Sequence, residues 1–158
     1  MKIKHFEKLS EQEYDILIKT PALITVLIAG ADEHIDKAEK RWAAKIVKFR
    51  KVSTTDMLHT YYEEIDQIFE SMLNDLIEES GDDAKSRKEI IGNELSKLNV
   101  ILPKIEQNYA KKLMESWKSL AVHVAKASGG ILSYGNISKE ERELIELPMI
   151  KYKVNKFQ

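Results

Sequence analysis

Between Ala29 and Glu39 the chain reads AGADEHIDKAE, four acids and a histidine within eleven residues. Carboxylates at Asp32, Asp36 and Glu39, helped by loop carbonyls and water, are the hard oxygen donors that a divalent cation takes. His34 would join them for zinc, whereas calcium takes oxygen. The offsets match the second half of an EF-hand loop, with Asp32 at position five, Ile35 at eight, Asp36 at nine and Glu39 at twelve. The first half does not follow. Ile28 and Gly30 stand where carboxylates belong, and Glu33 stands where the sharp turn needs glycine, so this is not an EF-hand of the usual kind. A competing reading needs no metal. Asp36 and Glu39 are spaced as the two halves of a capping box, and their charges suit a helix N-terminus.

Other chemistry is thin. There is no cysteine, which removes disulfides, thiolate metal sites and thiol nucleophiles. His5, His34, His59 and His123 are scattered, and His123 is expected as a packed core residue of an apolar helix. Asp56-x-x-His59 is half of a di-iron motif whose other half is missing. No nucleophile elbow, phosphate loop or zinc-protease helix is present, so the chain reads as no enzyme. Charge is segregated instead. Residues 52–84 hold ten acids and no Lys or Arg, and residues 37–51 hold seven basic residues against Glu39. Glu63, Asp66 and Glu70 stack at helical spacing and are candidate contacts for a basic protein partner. A basic helix lying antiparallel to an acidic one would neutralise the same charges internally. Trp42 and Phe49 are expected on the core side of the basic helix. That placement, with a net charge of −1, argues against nucleic acid. Tyr61, Tyr62, Trp117 and Tyr134 read as core aromatics or as part of a partner groove.

Long helices must position these residues. Six Gly and three Pro punctuate the chain, and no alternating segment is bounded by hairpin turns. Ser10 to Glu13 is a capping box that opens a helix over 11–19. Pro21 then starts a second, nearly all-apolar helix to about Ala31. Helices follow over about 36–51, 56–79, 83–102, 105–128 and 138–148. The 56–79 helix carries a seam of Leu58, Tyr62, Ile65, Phe69, Met72 and Leu76, spaced 4, 3, 4, 3, 4, and Gly81 ends it. The expectation is an all-α, single-domain bundle of about seven helices. Its core covers about 10–148, with a basic, frayed tail over 149–158. The loops AGADEHIDKAE and SYGNISKEE resemble one another, which suggests a helix–loop–helix pseudo-repeat. Seams at 58–76, 91–102 and 105–127 favour an intramolecular bundle, as a monomer or a homodimer.

The phrase PALITVLIAGADEHIDKAEKRWAAKIV resembles the tellurite-resistance TerB-like family, through Ala31, Asp32, Ile35, Asp36 and Glu39. Glu33 departs from the family's usual glycine. VAKASGGILSYGNISKEE is similar to the family's second helix–loop–helix. The resemblance covers about 10–51 and 104–147. It implies an all-helical bundle with internal pseudo-symmetry and an acidic divalent-metal site. It also implies a stress-response or protein-interaction role rather than a known reaction. The longest apolar run, ALITVLIAGA, is too short to span a bilayer, and no secretory signal is visible, so a cytoplasmic location is expected.

Calorimetric titration with calcium, magnesium, manganese and zinc, beside Asp32→Asn, separates the two readings of the loop. Heat that vanishes in the variant makes it a metal loop. Absence of heat in both makes it a helix junction.

Overall fold

The structure is a computed structural model and describes residues 3–32, 35, 37–53, 56–128 and 139–152. The side chains of Asp32, Ala38, Glu39, 51–53, Asp56, Ser128 and 139–141 lie outside that description, as do Asp36 and all of residues 129–138, Tyr134 among them. Among the described residues the chain is an all-α bundle of six helices without strands. These are α1 (Glu11–Ala29), α2 (Lys37–Ser53), α3 (Asp56–Ser80), α4 (Ala84–Ser96), α5 (Gln107–Ser128) and α6 (Lys139–Leu144). A single helical turn, Leu98–Ile101, and a 3-10 turn, Leu102–Lys104, connect α4 to α5.

The count falls from seven to six because Pro21 does not break the first helix. α1 runs unbroken through it. Proline lacks the N–H that would bond the carbonyl four residues earlier, and its ring pushes that carbonyl aside. Here the carbonyl is that of Leu17, in the bundle interior. Tyr61 Oη donates to it at 2.7 Å, and Trp117 Nε1 donates to Tyr61 Oη at 3.1 Å. Burial raises the Tyr61 hydroxyl well above its ordinary 10, so it stays a donor. Thr20 and Thr25 tie their hydroxyls to the carbonyls of Ile16 and Pro21, at 2.7 and 2.8 Å. An apolar helix therefore stays continuous and buries its residues from Leu17 to Ala29 except Lys19.

The other long helices pack around it in a ring. α1 lies against α3 and α5, and α2 lies against the same two. α1 and α2 thus occupy opposite corners of a four-helix core, with α4 added on the α1 side. The predicted α3 seam is buried at Leu58, Tyr62, Ile65, Phe69 and Leu76 within one chain, with Met72 at its edge. Gly81, at φ +76°, ends α3 as expected, since that backbone conformation suits glycine. Asp83 caps α4 by accepting from Ser86 N at 2.9 Å and Ser86 Oγ at 2.7 Å. The Ser10–Glu13 capping box forms with both bonds, at 3.0 and 3.1 Å. Lys104 Nζ adds a 2.7 Å bond to Glu13, which holds that carboxyl below the usual range.

Four boundaries differ from the sequence expectation. The 138–148 helix ends at Leu144 rather than at Pro148, and Leu147 takes φ +50°. The core begins at Ile3, because Phe6 plugs the end of the bundle and sits edge-on to Tyr14, Tyr61 and Tyr109. The 83–102 helix is interrupted at Lys97. The tail is docked rather than frayed as far as Tyr152. Asn99 donates from Nδ2 to Met149 O at 2.9 Å and accepts from Lys151 N at 2.6 Å, and Ile150 is buried.

Tyr61→Phe leaves the Leu17 carbonyl and the Trp117 N–H buried without their partner. The expected loss is about 2–3 kcal/mol of unfolding free energy in urea. In a Pro21→Ala background, where a restored backbone N–H can bond the Leu17 carbonyl, the same change should cost distinctly less. Equal losses in the two backgrounds would show that the proline gap is not what Tyr61 fills.

Candidate docking groove on α2 and α5

α2 carries two apolar stripes, and they face different ways. Ala43, Ala44 and Val47 are buried against the bundle. Trp42, Ile46 and Phe49, at i, i+4 and i+7, form the other stripe. Trp42 is 47% exposed and Phe49 69% exposed, while Ile46 is partly buried. This corrects the expectation that the two aromatics face the core. Small residues let α2 approach α3 and α5 closely, and bulky rings have no room on that side.

The outward stripe borders a groove of about 480 Å³ between α2 and α5, lined by Trp42, Lys45, Ile46, Phe49, Arg50, Ser119 and His123. Arg50 anchors its wall. Nη1 donates to Ser116 Oγ at 3.0 Å and Nη2 to Ser119 Oγ at 2.9 Å, and the guanidinium stands 5.9 Å from the Tyr62 ring centre. Ser116 Oγ in turn shares a hydrogen bond with Tyr62 Oη. His123 is exposed rather than packed in the core, and its Nδ1 lies 2.7 Å from the Ser119 carbonyl, which accepts the Nδ1–H bond. Apolar rings with a cation on either flank, Lys45 and Arg50, can desolvate an apolar anchor and meet carboxylates around it.

The residues singled out from the sequence fall elsewhere. Asp32 closes the 3-10 turn Gly30–Asp32 and Glu39 lies in the first turn of α2, but their side chains, and all of Asp36, are outside the described residues. Among the described residues no three His, Asp or Glu side chains are grouped to hold a metal ion. Glu63 pairs with His59 at 3.3 Å on the surface of α3. Glu70 instead faces Lys37, Lys40 and Arg41 across the α2–α3 groove, and Asp66 is half-buried between them in sequence. The basic and acidic helices do lie side by side and antiparallel, as one of the two sequence readings has it. Tyr61, Tyr62 and Trp117 are fully buried and serve the core.

One residue at the ends of α1 and α3 carries no sequence signal. Arg87 of α4 is 3% exposed and donates from Nη1 to Gly30 O at 3.0 Å and from Nη2 to Gly81 O at 2.7 Å. It thereby caps the C-terminal ends of α1 and α3 together, where carbonyls lack helical partners and a cation is favoured. A Cβ on Gly30 would lie 2.7 Å from the Arg87 side chain, so any larger residue there must displace Arg87 from this crossing.

No helix among the described residues is long and apolar enough to cross a membrane. No protein-family model matches the chain, no curated protein matches it, and no solved structure matches it.

The two tryptophans separate by fluorescence. Trp42→Phe should remove the red-emitting, acrylamide-quenched component and change stability by less than about 0.5 kcal/mol. Trp117→Phe should remove the blue component and cost about 1–3 kcal/mol, since it vacates volume and the bond to Tyr61. Identical quenching of the two would place Trp42 inside.

Proposed function

We propose that the chain is a non-enzymatic protein-interaction module of TerB-like helical architecture, with the α2–α5 groove as its docking face. One observation carries this reading: two large aromatics stand exposed at helical spacing, flanked by Lys45 and Arg50, over a groove. Exposed aromatic and arginine side chains around a concavity are the composition of interaction hot spots. The partner surface that fits is an apolar anchor surrounded by carboxylates. The non-enzymatic reading is supported by three buried polar side chains that serve the packing of helices. Tyr61, Tyr62 and Arg87 are engaged in hydrogen bonds that join helices. The helix–loop–helix pseudo-repeat and a stress-response setting belong to the same reading and come from the resemblance.

Exposure of Trp42 and Phe49 removes one reason given for excluding nucleic acid, because rings beside cations can also stack bases. Protein is favoured because the chain's net charge of −1 builds no field that would track a phosphate backbone.

The test uses a fluorescein-labelled helical peptide with leucines at i, i+3 and i+7 among glutamates, a lysine version of it, and a single-stranded oligonucleotide. The glutamate peptide should bind, shift Trp42 emission to the blue and weaken with salt. Phe49→Ala should cost at least about 1 kcal/mol of that binding. Equal binding of the lysine peptide, indifference to Phe49, or Phe49-dependent binding of the oligonucleotide alone would each overturn the reading.

A further inference from the structure

The ring order of the helices puts a second surface opposite the first. α2 and α5 form one side of the four-helix core, and α1 and α3 form the other. On that other side a groove of about 570 Å³ is lined by Glu11, Tyr14, Asp15, Ile18, Glu64, Gln67 and Ile68. Its charged groups are all carboxylates. Tyr14 Oη donates to Glu64, which fixes that carboxylate at the groove wall. Ile68 stands 46% exposed among them, the apolar residue that α3 contributes to the groove beside Glu64 and Gln67. This is the chemistry that the α2–α5 face fits: an apolar contact ringed by Glu11, Asp15 and Glu64, against Trp42 and Phe49 flanked by Lys45 and Arg50.

We propose that the occupant of the α2–α5 groove is a second copy of this chain, docked through its α1–α3 groove. The proposal rests on the reading of the α2–α5 face as a docking surface and names its partner. Phe49, the more exposed ring, is the knob, and the Ile68 surface receives it. Lys45 and Arg50 of one copy approach Glu11, Asp15 and Glu64 of the next. The two surfaces lie on opposite sides of the bundle, so the contact is heterologous. Each copy that docks leaves one face of each kind open, and association continues head to tail instead of closing as an isologous pair.

Sedimentation velocity on the full chain tests this, with circular dichroism confirming that each variant is folded. Wild type at low salt should grow in mass with concentration beyond the 18.2 kDa monomer and beyond a dimer. Raising the salt from about 0.05 to about 0.5 M should weaken association at least about tenfold. Phe49→Asp removes the knob and leaves the acidic groove intact. Ile68→Lys spoils the acidic groove and leaves the knob intact. Each variant alone should stay monomeric, and an equimolar mixture should form a dimer and stop there. Wild type that is monomeric at all concentrations, a mixture that stays monomeric, or a single variant that still associates would overturn the proposal. Retained binding of the glutamate peptide by a monomeric wild type would leave the docking reading standing while this one falls. Loss of peptide binding as well would remove both.

Discussion

Pro21 takes one N–H out of the middle of a buried helix, and the carbonyl of Leu17 is the group that loses its partner. In the interior such a carbonyl must be bonded or the helix is destabilised there. Tyr61 supplies the donor from α3, and Trp117 supplies a donor to Tyr61 from α5. A backbone defect in α1 thereby fixes the depth and rotation of two other helices. The neighbouring tyrosine extends the arrangement. Tyr62 meets Ser116 on α5, and Ser116 receives Arg50 from α2. Two consecutive residues of α3 therefore join all four helices of the core, one turned toward α1 and the other toward α5 and α2. The wall of the surface groove is held by the Tyr62–Ser116–Arg50 bonds, which sit beside the Leu17–Tyr61–Trp117 bonds on consecutive residues of α3.

That linkage gives α2 its two-sided character. Its inner stripe of Ala and Val lets it close on α3 and α5, while Arg50 crosses to the serines of α5. The large rings are left on the outer side, where they border the groove. Charge follows the same geometry. The inner part of the basic helix faces Glu70 of α3, and the outer part, with Lys45, frames the aromatics. The acids of α1 and the far side of α3 remain on the opposite surface, with Ile68 among them. Segregation along the chain becomes segregation between two faces of the bundle.

Local rules stated in single residues were legible from the sequence. Ser10 with Glu13, Asp83 before α4, Gly81 after α3 and the 4, 3 spacing of the α3 seam each depend on neighbours within a turn or two. These account for the all-α class and for most helix boundaries. Pro21 misled because its local rule is a break, and the compensating hydroxyl comes from Tyr61, 44 residues away in sequence from the Leu17 carbonyl it bonds. Asn99 and Arg87 left no trace for the same reason. Each is a polar side chain whose meaning is a set of distant backbone groups: the tail for Asn99, and the ends of α1 and α3 for Arg87.

For the functional surface the division is sharper. The sequence by itself determined most of the helices and the segregation of charge, but it put Trp42 and Phe49 on the core side of α2, where the structure instead shows two apolar stripes facing different ways. The sequence could not determine which stripe points inward, because an isolated amphipathic helix does not state which neighbours it will have or how near they come. Only the tertiary structure decided that. The small stripe won because close approach to α3 and α5 excludes indole and phenyl rings, and burial of Trp117 and Tyr62 already fills the space they would need. The same decision placed the basic aromatic face and the acidic face on opposite sides of one bundle. No spacing along the chain carries that relation, because it depends on the order in which four helices close around Tyr61 and Tyr62.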